Sequence, residues 1–160
     1  MRTSWVYAAE GKNFLRTIAR LARERTELRI VADQIGAPTS AALIGDVVAG
    51  MLLEGSEGLR EYCAGAGGLV HLAASGETSW HGFASAIVGG LKARGVALAV
   101  ERIVPIATED YPTKARRPHN SRLDMTRLQT LFGITPPPWQ IALAPELDRL
   151  ARELAVAHRG

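Results

Sequence analysis

From Asn13 onward the apolar positions Phe14, Leu15, Ile18, Leu21 and Ala22 recur with the spacing of one helical face, while Arg16, Arg20 and Arg23 fall elsewhere on the turn. Asn13 stands where an N-cap belongs, so a helix is predicted from there. Ile44, Val47, Val48 and Met51 repeat the period behind a Thr39 or Ser40 cap and are predicted to be the inner face of a helix ending near Gly55 and Gly58. Phe83, Ala84, Ile87, Val88 and Leu91 do the same behind Thr78 or Ser79, despite the local cost of Gly89 and Gly90. A short helix over residues 126–132 should stop at Gly133. Pro136, Pro137 and Pro138 then enforce an extended linker, and residues 144–158 form a last amphipathic helix with Leu147, Leu150, Ala151 and Leu154 on its face.

Between these helices lie short β-branched or apolar runs. Residues 3–7, 28–32, 69–73 and 100–106 read as strands, the last moved towards a sheet edge or end by Pro105. Residues 33–38 and 111–123 read as loops by their Asp, Gly and Pro content. Strands alternating with helices predict an α/β fold, a small sheet packed with helices. The first strand begins almost at the first residue, and domains seldom open on a buried strand with no lead-in, so a larger fold cut at this point is expected. A strand apolar on both faces but lacking its neighbours would offer an unpaired edge, so a homo-oligomer or a swapped dimer is expected.

The bulk properties narrow the function classes. With 160 residues and 47% apolar residues, one compact domain is the prior. The net charge of +3 comes from 19 basic and 16 acidic residues interleaved along the charged helices, a solvated face rather than a nucleic-acid track. No apolar stretch reaches the length of a membrane span, the first thirty residues carry no signal-peptide pattern, and the single Cys63 asks for no oxidising compartment, so a cytoplasmic location is expected. The four histidines never approach metal-ligand spacing and no CxxC is present, so no metal site is expected.

Individual residues divide between structural and chemical readings. His71, in an apolar run, reads as a core histidine; residues 65–68 precede a strand rather than follow one, which makes them a turn and not a phosphate cradle. Cys63 reads as an ordinary thiol. Trp5 stands where a strand meets a glycine-containing loop, the place where open α/β sheets bind ligands, although a strand tryptophan is more often core. Arg116 and Arg117, in a proline-bounded loop, either present guanidinium forks to a diphosphate or are simply solvated.

Five blocks occur in order along the chain. They are Arg2-Thr3-Ser4-Trp5-Val6-Tyr7, Gly11-Lys12-Asn13-Phe14, Asp33-Gln34-Ile35-Gly36-Ala37-Pro38-Thr39, His71-Leu72-Ala73 with Gly76-Glu77-Thr78-Ser79-Trp80, and Tyr111-Pro112-Thr113 with Arg117-Pro118-His119-Asn120-Ser121-Arg122-Leu123. In this order and spacing the chain resembles the dTDP-4-dehydrorhamnose reductases, extended short-chain dehydrogenases with a Rossmann-like NAD(P)-binding fold. The resemblance implies reduction, by NADPH or NADH, of the 4-keto group of a dTDP-linked deoxyhexose to give dTDP-L-rhamnose for bacterial surface polysaccharide. Residues 1–160 would be the C-terminal, substrate-binding region of a truncated reductase, without the N-terminal cofactor half. By matching motif, Trp5 would contact the sugar near the nicotinamide, Ser4 would face the cofactor, and Gln34, Gly36, Pro38 and Thr39 would form the nucleotide-sugar pocket. Arg117 and Asn120 would contact the diphosphate or the domain junction.

The chain departs from the family pattern at the chemistry itself. The residues four beyond Tyr7, Tyr62 and Tyr111 are Gly11, Ala66 and Ala115, so no Tyr-x-x-x-Lys is present, and no GxxGxxG occurs either. The resemblance therefore implies no catalytic residue here, and the chain alone is expected to be inactive. Some family members are described as Mg2+-dependent, but no acidic cluster to hold the ion stands out. Two other readings follow: a catalytically silent binding module related to the reductases, and another extended short-chain enzyme acting on a different nucleotide sugar.

Overall fold

The computed structural model describes residues 1–55, 58–64, 67–111 and 117–156. Gly65, Ala66, Pro112, Thr113, Arg116 and the end of the last expected helix, His158 included, lie outside the described residues.

The architecture is α/β, with three two-stranded sheets packed against helices. Strand β1 (Val6–Tyr7) is followed by helix α1 (Phe14–Glu24), whose Asn13 cap accepts the Arg16 N–H as expected. β2 (Glu27–Val31), β3 (Ile35–Gly36) and β4 (Thr39–Ser40) lead into α2 (Ala41–Glu54), with Ser40 as its N-cap, and then α3 (Leu59–Ala64). β5 (Thr78–Ser79) runs into α4 (Trp80–Ala93), capped by the Ser79 hydroxyl on Gly82 N–H. β6 (Arg102–Ile106), a 3-10 turn (Thr108–Asp110), α5 (Thr126–Phe132) and α6 (Trp139–Val156) complete the chain.

Pairing in the sheets is mostly parallel. β1 pairs with β4, and β2 with β6 in a register that sets Ile30 beside Pro105; β3 and β5 are antiparallel. In a two-stranded sheet every strand is an edge, so Pro105, which lacks an N–H, is accommodated as its sequence position implied. The apolar stripe of α4 packs between those of α1 and α6, where Leu15, Ile18, Phe83, Ile87, Leu91, Leu147 and Leu150 are buried. Gly90 has a packing reason: a Cβ there would lie 2.4 Å from Leu147 Cδ1, so the glycine lets α6 approach α4. Gly133 ends α5 in the left-handed conformation, φ +66°.

Several expectations are corrected. Residues 3–7 yield only β1, because Trp5 turns into the left-handed region at φ +51°. Residues 69–73 are extended but form no strand, touching Arg2 through a single bridge at His71. His71 is half-buried rather than core, its Nδ1 3.2 Å from the Asp124 carbonyl. The loop 33–38 contains β3, because Ile35 pairs with Ser79 on one side and meets Asn120 on the other. Helix α6 starts at Trp139 rather than 144. Pro145 costs it the bond to the carbonyl of Ile141, a residue that is exposed and so leaves that carbonyl near water.

The expected inner face of α2 is the largest departure. Ile44, Val47 and Met51 are half-buried, Val48 is exposed, and no residue of the helix is buried. Leu43 touches the main core and Ile44 and Val47 rest on the small cluster of Val70, Leu72 and Leu128, whereas Leu52 and Leu53 are left 52% and 75% exposed.

Tyr7 makes the core pH-sensitive. Its ring packs on Phe83 with centroids 5.1 Å apart, and its hydroxyl is buried without a partner. Burial, and then the Glu146 carboxylate, push the phenol well above its ordinary value of 10. The folded state thus holds this proton more tightly than the unfolded chain, so the stability is complete below pH 10 and lost as pH rises beyond it. Tyr7→Phe is expected to leave neutral-pH stability unchanged or raise it by up to about 1 kcal/mol. Thermal unfolding followed from neutral to strongly alkaline buffer should show the variant's midpoint declining less than the wild type's, and parallel declines would count against this account.

Candidate functional site

The left-handed turn at Trp5 places its indole against Trp80 and Gly36. The two indoles are stacked, with centroids 3.6 Å apart and planes 9° from parallel. Trp80 is the first residue of α4, directly after the Ser79 cap, and Phe14 from the start of α1 tilts against it at 4.6 Å. Gly36 is brought beside them by the β3–β5 pair; a Cβ on it would fall 2.5 Å from Trp5 Cε2. The Trp5 carbonyl accepts the Thr39 N–H at 3.2 Å, which ties the turn to β4.

Behind the rings runs a line of hydrogen bonds in one direction. Trp80 Nε1–H donates to Gln34 Oε1 (3.2 Å), Gln34 Nε2 donates to the Thr108 hydroxyl (3.0 Å), and that hydroxyl donates to Asp33 Oδ1 (2.6 Å). Thr108 N–H adds a bond to Asp33 Oδ2 at 3.0 Å. These two bonds, the hydroxyl's first, hold the Asp33 carboxyl below its ordinary range. His119 lies 3.2 Å from the Asp33 carbonyl, and the backbone of residues 119–121 flanks β3 through Ile35 N–H to the His119 carbonyl and Ser121 N–H to the Ile35 carbonyl.

The structure thus brings together Trp5, Gln34, Gly36 and Thr39, with Asn120 across from Ile35. Pro38 and Thr39 are fully buried; the Thr39 hydroxyl donates to the Ala37 carbonyl and accepts Ala74 N–H, so both residues shape the site from behind. The exposed Asn120 accepts from Arg122 N–H and Nε, and Arg122 pairs with Glu77. Arg117 is exposed at the end of its loop. The Ser4 hydroxyl is buried with no partner. Residue-by-residue reading gives none of Trp80, Phe14 and Thr108 a site role: Phe14 reads as part of the apolar face of its helix, Phe14 and Trp80 stand in the matched blocks without a function, and nothing local marks Thr108.

Two surface concavities lie away from this cluster, one lined by Arg20, Arg23 and Leu98 and the other by Arg23, Arg94 and Leu154. Among the described residues no group of three or more His, Cys, Asp or Glu side chains could hold a metal ion, and no helix is long and apolar enough to cross a membrane.

Comparison with known proteins bears on what this arrangement belongs to. The chain is 54% identical over 146 residues to a dTDP-4-dehydrorhamnose reductase of Burkholderia thailandensis, a match spanning 89% of this chain and 48% of that protein. Among solved structures it is similar to a dTDP-4-dehydrorhamnose reductase from Clostridium acetobutylicum, with TM-score 0.76, 31% identity, and coverage of 93% of this chain and 47% of that one. It is likewise similar to the Bacillus anthracis dTDP-4-dehydrorhamnose reductase solved in complex with NADP, with TM-score 0.74, 30% identity, and coverage of 95% and 47%. The chain spans about half the length of these relatives. The family model described as the RmlD substrate binding domain matches residues 1–152, and the chain belongs to that family.

Proposed function

We propose that the chain is the substrate-binding part of an NAD(P)H-dependent oxidoreductase that converts dTDP-4-dehydro-L-rhamnose to dTDP-L-rhamnose, working in the cytoplasm. The observation that carries this reading is the Trp5 indole, the family-matched sugar contact, held in a costly left-handed turn beside Gly36, just before the parallel strands β1 and β4 rather than after a strand as its sequence position implied. In this reading the ring covers the apolar face of the deoxyhexose. Gln34, Gly36, Pro38 and Thr39 form the wall that keeps it there, while the exposed Arg117 and Asn120 meet the diphosphate with a guanidinium and an amide.

The NADP-bound relative supports a nicotinamide cofactor, which supplies hydride when bound. The motif-matched cofactor contact on this chain is the Ser4 hydroxyl, which is buried and unpartnered, and one hydroxyl is too little to hold a dinucleotide. No hydride step is therefore assigned to this chain. Nor does the site supply a general acid: Tyr7 is buried in the core, and its phenol is pushed up, the opposite of what proton transfer near neutrality requires. The chain alone is proposed to bind and orient the sugar without turning it over.

Calorimetric titration with dTDP-L-rhamnose is expected to give saturable binding that weakens about tenfold in Trp5→Ala. NADPH with dTDP-4-dehydro-L-rhamnose should not be consumed. A flat titration would remove the binding role, and steady NADPH oxidation would remove the proposed inactivity.

A second reading, a partner-binding module, is favoured by the uncovered apolar side of α2. Sedimentation velocity should then show self-association that grows with concentration and shrinks when Leu52 and Leu53 are replaced by Glu. A strictly monomeric profile at high concentration would count against it.

A further inference from the structure

A tryptophan at φ +51° is held against its own preference, a strain that persists only where the surroundings over-determine it. The Trp5–Trp80 stack offsets part of this strain, provided the Trp80 ring is itself fixed. Two groups fix it: Phe14 against the ring, and the Gln34 amide oxygen on its Nε1–H. Gln34 is 7% exposed, and its amide is engaged at both ends, by Trp80 and by Thr108, whose hydroxyl is anchored in turn on Asp33. An amide engaged in this way has little left for a ligand, although it can transmit an orientation.

We propose that Gln34 and Trp80 are positioning residues for Trp5: the line Asp33–Thr108–Gln34–Trp80 sets the angle of the indole that faces the sugar. This rests on the reading of Trp5 as the sugar contact, but the ring geometry can be measured without any ligand. The chain has three tryptophans, and the third, Trp139, faces Phe83 rather than another indole. A fixed, close indole pair with non-parallel transition dipoles gives an exciton couplet in far-ultraviolet circular dichroism, and the component lost on replacing either ring reports the Trp5–Trp80 geometry.

The wild-type chain is expected to show the couplet, Trp139→Phe to keep it, and Trp5→Phe and Trp80→Phe each to abolish it. Gln34→Met, which keeps the length of the side chain but not its amide, should lose most of the amplitude. Thr108→Val should do the same, while Thr108→Ser, which keeps the hydroxyl relay, should restore it. In parallel titrations with dTDP-L-rhamnose, Gln34→Met should bind about tenfold more weakly than wild type. A full couplet in both Gln34→Met and Thr108→Val would overturn the proposal, even if their melting temperatures fall, because the two residues would then be merely structural. Unweakened ligand binding by Gln34→Met would overturn it too. Absence of binding by the wild type would sink the sugar-site reading instead, with the couplet still deciding the positioning role.

Discussion

Glu146→Ala is expected to lower the unfolding free energy by about 2–4 kcal/mol, the largest effect of any single change considered for this chain. Glu146 is 1% exposed, and its Oε2 accepts Ala9 N–H at 2.6 Å, a bond between α6 and the loop after β1 that spans most of the sequence. Its nearest cation, Arg149, is 3.6 Å away and largely in solvent, so it contributes little, and the charged hydrogen bond carries the interaction. Alanine would leave the Ala9 N–H buried without an acceptor and open a void beside Tyr7. The same loop is clasped a second time, where Arg16 donates to the Ala9 carbonyl and pairs with Glu153. Because that pair is partly exposed, it should not compensate. Glu146→Gln, which keeps an acceptor for Ala9, should cost less than half as much. Urea unfolding of both variants checks this, and equal midpoints for Glu146→Ala and wild type would show that the bond contributes nothing. Since Ala9 follows Trp5 by four residues, the alanine variant should also loosen the site.

Gly36→Ala should displace the Trp5 indole and weaken dTDP-L-rhamnose binding about tenfold or more. The glycine is not needed for its backbone, which is ordinary strand, but for space: a Cβ would come within 2.5 to 2.8 Å of three atoms of the indole. A rigid ring already stacked on Trp80 at 3.6 Å cannot give way by a small rotation, so either the stack breaks or β3 moves. Overpacking of this kind typically costs about 1–3 kcal/mol. The cause can be isolated with a second substitution. If the clash is with the ring, Trp5→Ala should remove most of the stability penalty of Gly36→Ala, so that the double variant is less destabilised than the sum of the two singles. Strict additivity of the two changes would place the penalty elsewhere.

Local order was legible in the sequence. α1 and α4 follow from apolar residues at helical spacing behind Asn13 and Ser79, and α5 from its stop at Gly133. These are short-range facts, settled within a few residues by backbone hydrogen bonding and cap chemistry. The ordered blocks around Trp5, 33–39 and 117–123 also carry the resemblance to a reductase family. What the sequence did not determine was set by contacts between distant residues. Trp5 leaves the expected strand because Trp80 and Gly36 receive its ring. Residues 69–73 stay outside any strand because only His71 meets Arg2, and α2 keeps an uncovered apolar side because little packs on it. Glu146 reads locally as one more surface carboxylate of an amphipathic helix, and becomes a buried anchor only when α6 folds back onto Ala9. Pattern and caps therefore decide where helices form, since their bonds close within four residues; which side chains meet, and hence the site, is decided by packing across the whole chain.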